Sequence, residues 1–249
     1  MSAIVRLLGL DFADVDAPRA AELLARRPAS DPFGYVVTPN ADHLVRLHKH
    51  PELAPLYQGA MLRLLDSRVV AVASRVIGLP APCVAPGSDL TAMLLRNHVS
   101  GRERVTIVGL SAQWLPALMQ RTGITDPAHC DPPVGFDLDP HTMREAVDFV
   151  LAHPARFVFL AVGSPQQEVL AAAIAATGRA TGIGLCIGAS LEFLAGAANR
   201  APRWMQSAGL EWLYRLGGSP RRLARRYLLD SPAVFGMLVR ARLGSAGDF

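Results

Sequence analysis

Short apolar runs alternate along the chain with longer stretches in which apolar residues recur every three or four positions. The short runs are 33–39 (FGYVVTP), 60–67 (AMLRLLDS), 104–110 (RVTIVGL), 156–163 (RFVFLAVG) and 182–188 (GIGLCIG). Their length and their small or polar boundaries predict β-strands. The periodic stretches near 40–50, 68–78, 89–99, 112–122, 140–152 and 165–177 predict amphipathic helices. Strands alternating with helices of this length build βαβ units. The expected fold class is therefore α/β, a mostly parallel sheet with helices on both faces.

Several predicted strands end on a small or polar residue: Thr38-Pro39-Asn40, Asp66-Ser67, Gly109, Gly163-Ser164 and Gly188-Ala189-Ser190. Open α/β sheets bind ligands outside the carboxyl ends of their strands, so these ends form the candidate site. A carboxylate at Asp66 is placed to take a proton from an attacking hydroxyl, or else to cap the following helix. Thr38 and Asn40 suit sugar hydroxyls or a nucleobase, and Asn40 equally suits a helix cap. Asp89 in P-G-S-D-L has the position of an N-cap. The turns V-G-L-S-A (108–112) and G-S-P-Q-Q-E (163–168) each join a strand to a helix, where backbone amides can hold a phosphate. G-x-G-x-x-G, G-x-x-x-x-G-K-[ST] and G-x-S-x-G motifs do not occur, which disfavours NAD, P-loop ATP and serine-hydrolase chemistry.

From about Pro202 the pattern changes to three short helical pieces, 209–217, 219–230 and 231–243, the last two opening on Ser-Pro. The expected organisation is an α/β body over 1–199 and a helical appendage over 200–249. Charge sharpens this division. Of 249 residues 51% are hydrophobic and 18% charged, which excludes a disordered chain. The net charge is +4, yet residues 1–199 carry −2 and residues 200–249 carry +6, the latter from nine arginines against Glu211, Asp230 and Asp248. Solvated helix faces, a membrane-surface segment and nucleic-acid binding all fit such a tail. Arg221, Arg222, Arg225 and Arg226 on one broad helix side, near Trp204, Trp212 and Tyr214, suit an interfacial segment meeting anionic headgroups. A net acidic body without a reader motif argues against nucleic acid.

No apolar run is long enough to span a bilayer and the N-terminal segment lacks a signal-peptide pattern, so a cytoplasmic protein is expected. Three widely spaced cysteines, Cys83, Cys130 and Cys186, suit a reducing compartment and form no CxxC motif. The run His43, His48, His50 lacks a carboxylate or cysteine to complete a metal site, and it reads as a solvated helix face.

The segments taken together resemble the WecG/TagA/CpsF family of bacterial glycosyltransferases. The resemblance is strongest at F-L-A-G-A-A-N-R-A-P-R-W-M-Q-S-A-G-L-E-W-L-Y-R-L (193–216) and S-P-R-R-L-A-R-R-Y-L (219–228). Upstream, V-V-T-P-N-A-D-H-L-V (36–45), P-G-S-D-L (86–90), V-G-F-D (134–137) and G-S-P-Q-Q-E (163–168) follow in the family's order. It implies a Rossmann-like body with a C-terminal appendage. It also implies inverting transfer of a sugar from a UDP-sugar to a polyprenyl-diphosphate-linked saccharide at the inner membrane face, without metal or other cofactor, in a self-associating protein. N-acetylmannosamine, glucose and a uronic acid all remain open as the donor sugar. Carried over by motif, Asp66 is the general base, Thr38 and Asn40 line the sugar site, and Asp89, Gln167 and Glu168 belong to substrate binding. Arg215, Arg222 and Arg225 would hold diphosphate oxygens, while Arg221 and Arg226 would meet lipid.

Three positions depart from the family pattern. Ser67 stands in place of a glycine, so its Cβ is expected to restrict the turn or narrow the pocket. Gln166 stands in place of a lysine and Glu192 in place of an aspartate. The competing readings are a different nucleotide-binding α/β enzyme, such as a methyltransferase, and a non-catalytic peripheral membrane protein of the same fold.

Overall fold

A computed structural model describes residues 3–101, 103–199, 201–202, 204–205, 211–218 and 232–244. Its centre is a six-stranded parallel sheet. The strands are β3 (Gly34–Val37), β4 (Leu62–Arg63), β5 (Val105–Gly109), β6 (Ala128–Cys130), β7 (Phe157–Ala161) and β8 (Ile183–Cys186), in the order β4-β3-β8-β7-β5-β6. Every strand expected from the sequence is present, in a parallel sheet as expected. All are shorter than the apolar runs that contain them. The chain builds one flank with β3 and β4 and the other with β5 and β6, and then inserts β7 and β8 between them.

The sheet is apolar on both faces, as burial between two helical layers demands. Alternate residues point to opposite sides. Tyr35, Val37, Val158, Leu160 and Cys186 join one core with side chains of α2 (Ala41–Lys49), α3 (Ala54–Gln58), α4 (Arg68–Val76), α7 (Pro140–Ala152) and α8 (Gln166–Ala176). Val36, Phe157, Phe159, Ile183 and Leu185 join the other, with α1 (Ala17–Ala25), α5 (Gly87–Met93), α6 (Leu115–Thr122) and α9 (Ser190–Ala195). Of the tail, two helices are described: α10 (Glu211–Gly218) and α11 (Ala233–Arg242). α11 packs on α2 and α4, and its Val234, Met237 and Leu238 enter the first core. Pro232 occupies its N-cap position, one residue later than the Ser-Pro signal suggested.

Some elements carry no strong sequence signal. β1 (Ile4–Leu7) and β2 (Leu10–Ala13) form a hairpin through a two-residue turn with both φ positive, at Leu8 (47°) and Gly9 (78°). Leucine rarely adopts that conformation, so the usual Asn-Gly cue is missing. β6 is a three-residue edge strand without an apolar run. α1 opens on Asp16, whose carboxylate accepts from the Arg19 amide. α3 and α9 are too short to display a period.

Candidate active site

The carboxyl ends of β3, β4, β7 and β8 surround a cavity of about 1150 Å³. Thr38, Asn40, Asp66 and Gln167, all marked from the sequence, line it together. Each is held differently. Thr38 is buried, and its hydroxyl donates to the Cys186 carbonyl at 3.4 Å. Asn40 caps α2, its Oδ1 accepting from the amides of Asp42 at 3.0 Å and His43 at 3.3 Å. The capping and cavity readings of Asn40 thus coexist.

Asp66 does not cap α4. That role belongs to Ser67, whose Oγ accepts from the Val70 amide at 3.2 Å. The Asp66 amide donates to the Pro39 carbonyl at 2.9 Å, and its Oδ2 accepts from the Gly87 amide at 3.2 Å. The carboxylate is thereby aimed along the ends of β3 and β4 toward the first turn of α5. Gly87 has to be small there, because a Cβ would lie 2.8 Å from Thr38 Oγ1. Ser67 itself has φ −156°, ordinary extended backbone, and it does not line the cavity. The expected cost of replacing glycine at this turn does not arise.

Gln167 and Glu168 sit in the first turn of α8, both buried. Glu168 Oε1 accepts from Gln167 Nε2 at 2.8 Å, and Gln167 Oε1 accepts from the Gly188 amide at 2.8 Å. The Gln167 carboxamide therefore ties α8 to the turn after β8 in one orientation. Burial pushes the Glu168 carboxyl above the ordinary glutamate range, against the opposing effects of Gln167, Ser164 and Arg46. Its Oε2 is buried without a hydrogen-bond partner. The same apolar surroundings, with the nearby Glu168 charge, push the Tyr57 hydroxyl up and bring Tyr35 to about 12.

The remaining expectations fall elsewhere. Asp89 is the third residue of α5, whose N-cap position is held by Pro86, because the helix starts two residues before Asp89. It lies outside the cavity lining. The V-G-L-S-A turn also stays outside, its Gly109 and Leu110 carbonyls accepting from His129 Nε2. Gln166 is the first residue of α8 and outside the lining, whereas Glu192, the third residue of α9, lies within it. Arg215 belongs to α10, but its side chain lies outside the described residues, as do Arg221, Arg222, Arg225 and Arg226. Neighbours of Arg215 on α10, Leu213, Tyr214 and Gly217, do reach the cavity. The histidine run is not one solvated face: His43 is buried in the cavity wall, edge-on to Tyr57, while His48 and His50 are exposed. Among the described residues no three His, Cys, Asp or Glu side chains cluster as a metal site would require. Arg46 and Ser88 also line the cavity and carried no expectation from the sequence, His43 was expected on a solvated face, and Ser164 stands at a strand end already marked. The spacing Asn40-x-x-His43-x-x-Arg46, beside the apolar Leu44 and Leu47, was the available signal for His43 and Arg46.

A sheet-edge cavity holding an aspartate, hydroxyl and amide side chains fits sugar chemistry, and comparison with known proteins decides among such enzymes. The model of the WecG/TagA/CpsF glycosyl transferase family matches residues 5–247. The chain belongs to this family. It is a glycosyltransferase. Among curated relatives, the N-acetylglucosaminyldiphosphoundecaprenol N-acetyl-beta-D-mannosaminyltransferase of Bacillus spizizenii is 28% identical over 244 residues, covering 95% of this chain and 91% of its own. The family match extends almost to the C-terminus, so the Arg-rich tail belongs to the family's pattern and is not an unrelated extension.

Proposed function

We propose that the protein transfers a sugar from a UDP-sugar to a polyprenyl-diphosphate-linked saccharide, with inversion at the anomeric carbon. The observation that carries this reading is the gathering of Thr38, Asn40, Asp66 and Gln167 around one cavity at the carboxyl edge of the sheet. Asp66 Oδ takes the proton of the acceptor hydroxyl as that oxygen attacks the anomeric carbon. The bond from that carbon to the donor phosphate oxygen breaks, and UDP leaves with the bonding electron pair. Thr38, Asn40 and Gln167 orient the sugar. Glu168 holds Gln167. Arg215, Arg222 and Arg225 from the appendage, residues 200–249, stabilise the charge that develops on the diphosphate.

The acceptor class follows the Bacillus relative, whose name specifies an undecaprenyl-diphosphate-linked substrate. A lipid-linked acceptor places the reaction at the membrane surface. Among the described residues no helix is long and apolar enough to cross a membrane, so Arg221 and Arg226 provide peripheral attachment through anionic headgroups. The test is turnover by the full chain with a lipid-diphosphate N-acetylglucosamine acceptor analogue and a panel of UDP-sugars. Release of UDP with one glycosylated product is expected. Absence of product with every donor would refute the reading.

A further inference from the structure

Arg46 is not explained by the roles assigned above. Among the described residues lining the cavity it is the only side chain with a permanent positive charge, set against the carboxyl groups of Asp66 and Glu192. Its side chain is only 21% exposed, and that of its ion-pair partner Asp42 is 18% exposed. An arginine paired with an aspartate one helical turn away could remain on the surface. This one instead reaches across the fold. Nη2 donates to Asp42 Oδ2 at 2.9 Å, while Nη1 donates to the Ser164 hydroxyl at 2.9 Å, 118 residues away in the turn before α8. The guanidinium is thereby fixed from two sides. These bonds use two of the five N–H donors of the fork, and a planar fork with remaining donors is the side chain best suited to an oxyanion.

We infer that Arg46, anchored by Ser164, is the anion-recognition residue of this cavity and takes an anionic oxygen group of the donor, either a carboxylate on the sugar or a diphosphate oxygen. The inference rests on the glycosyltransferase reading above and specifies what the donor presents. Its placement suits that role. Asp66 follows β4 and Ser164 follows β7, three strand spacings apart in the order β4-β3-β8-β7. At about 4.8 Å per spacing this is about 14 Å across the cavity floor. The base therefore stands at one end and the Arg46–Ser164 pair at the other, with the ends of β3 and β8 between them. A donor lying along that floor presents its reacting carbon toward Asp66 and an anionic group toward Arg46.

Calorimetric titration of the full chain with uridine, UDP, UDP-glucose and UDP-glucuronic acid tests this, in wild type, Arg46→Gln and Arg46→Lys. Arg46→Gln is expected to weaken binding of the recognised group by roughly 10- to 100-fold, the usual effect of losing a charge-assisted hydrogen-bonded contact. Arg46→Lys keeps the charge and stem but loses the fork, and a smaller loss is expected. If UDP weakens while uridine does not, the group is the diphosphate. If UDP and UDP-glucose are unchanged while UDP-glucuronic acid weakens, it is the sugar carboxylate. Arg46→Lys decides if Arg46→Gln fails to fold. Wild-type affinity for all four compounds in any folded variant overturns the inference. Failure of the wild-type protein to bind any of them overturns the proposed UDP-sugar donor, and the inference with it.

Discussion

At the scale of single residues the cavity holds Asp66, the base of the proposed transfer, beside groups that fix the wall in place. Asp66→Asn keeps the acceptor atom for the Gly87 amide but removes the basic oxygen, and is expected to lower turnover by ~10²–10⁴ with substrate affinity retained. Near-normal turnover would remove Asp66 from the role of base. Glu168 helps fix the wall, and its environment makes a different prediction. Burial raises its pKa above the ordinary 4.5, so the folded protein keeps this proton at pH values where the unfolded chain has lost it. The associated stability is complete below pH about 4.5 and is lost as the pH rises toward the folded value. Glu168→Gln carries no such proton but can still accept from Gln167. Its melting temperature relative to wild type should therefore rise as the pH increases above about 4.5. A flat difference would mean that Glu168 loses its proton as readily in the folded state as in the unfolded one.

At the scale of elements, helix starts organise the cavity. Asn40 begins α2, Ser67 begins α4 and Gly87 begins α5, each next to a strand end. Ser67 shows how a departure from the family pattern is absorbed. Its backbone is extended, so glycine is not required, and its hydroxyl satisfies an amide that glycine would leave to water. Ser67→Ala should cost about 1 kcal/mol in urea denaturation and Ser67→Gly only a few tenths, with turnover unchanged in both. A clear change in KM for either would return Ser67 to the substrate pocket. The strand–helix alternation was legible at this scale because each element carries its own period. The β1–β2 hairpin was not, because Leu8 takes a conformation that its residue type disfavours and only the surrounding structure enforces.

At the scale of the whole molecule, the last helix changes how membrane attachment has to be tested. Deleting the chain from Pro202 would remove α11 and with it Val234, Met237 and Leu238 from the core. Burial of such side chains is worth about 1.5–3 kcal/mol each, so the deletion would report folding as well as lipid binding. Reversing two charges, Arg221→Glu with Arg226→Glu, is the cleaner experiment. Each basic residue near an anionic surface contributes about 1 kcal/mol, so sedimentation with anionic vesicles should show at least about a ten-fold loss of binding. Wild-type binding by the double variant would place the membrane contact elsewhere.

The sequence by itself determined the α/β class, the parallel sheet, the family and four residues that line one cavity. Those features are written in local periodicity, in turn residues and in ordered motifs, each readable without knowing what lies across the sheet. Tertiary structure alone decided that Asn40 caps a helix and lines the cavity at once, and that Ser67 rather than Asp66 caps α4. It alone brought Arg46 to Ser164 and buried His43, which was expected on a solvated helix face. The physical reason is the order β4-β3-β8-β7: it sets strands distant in sequence side by side, and only that adjacency says which polar groups share a space shielded from water.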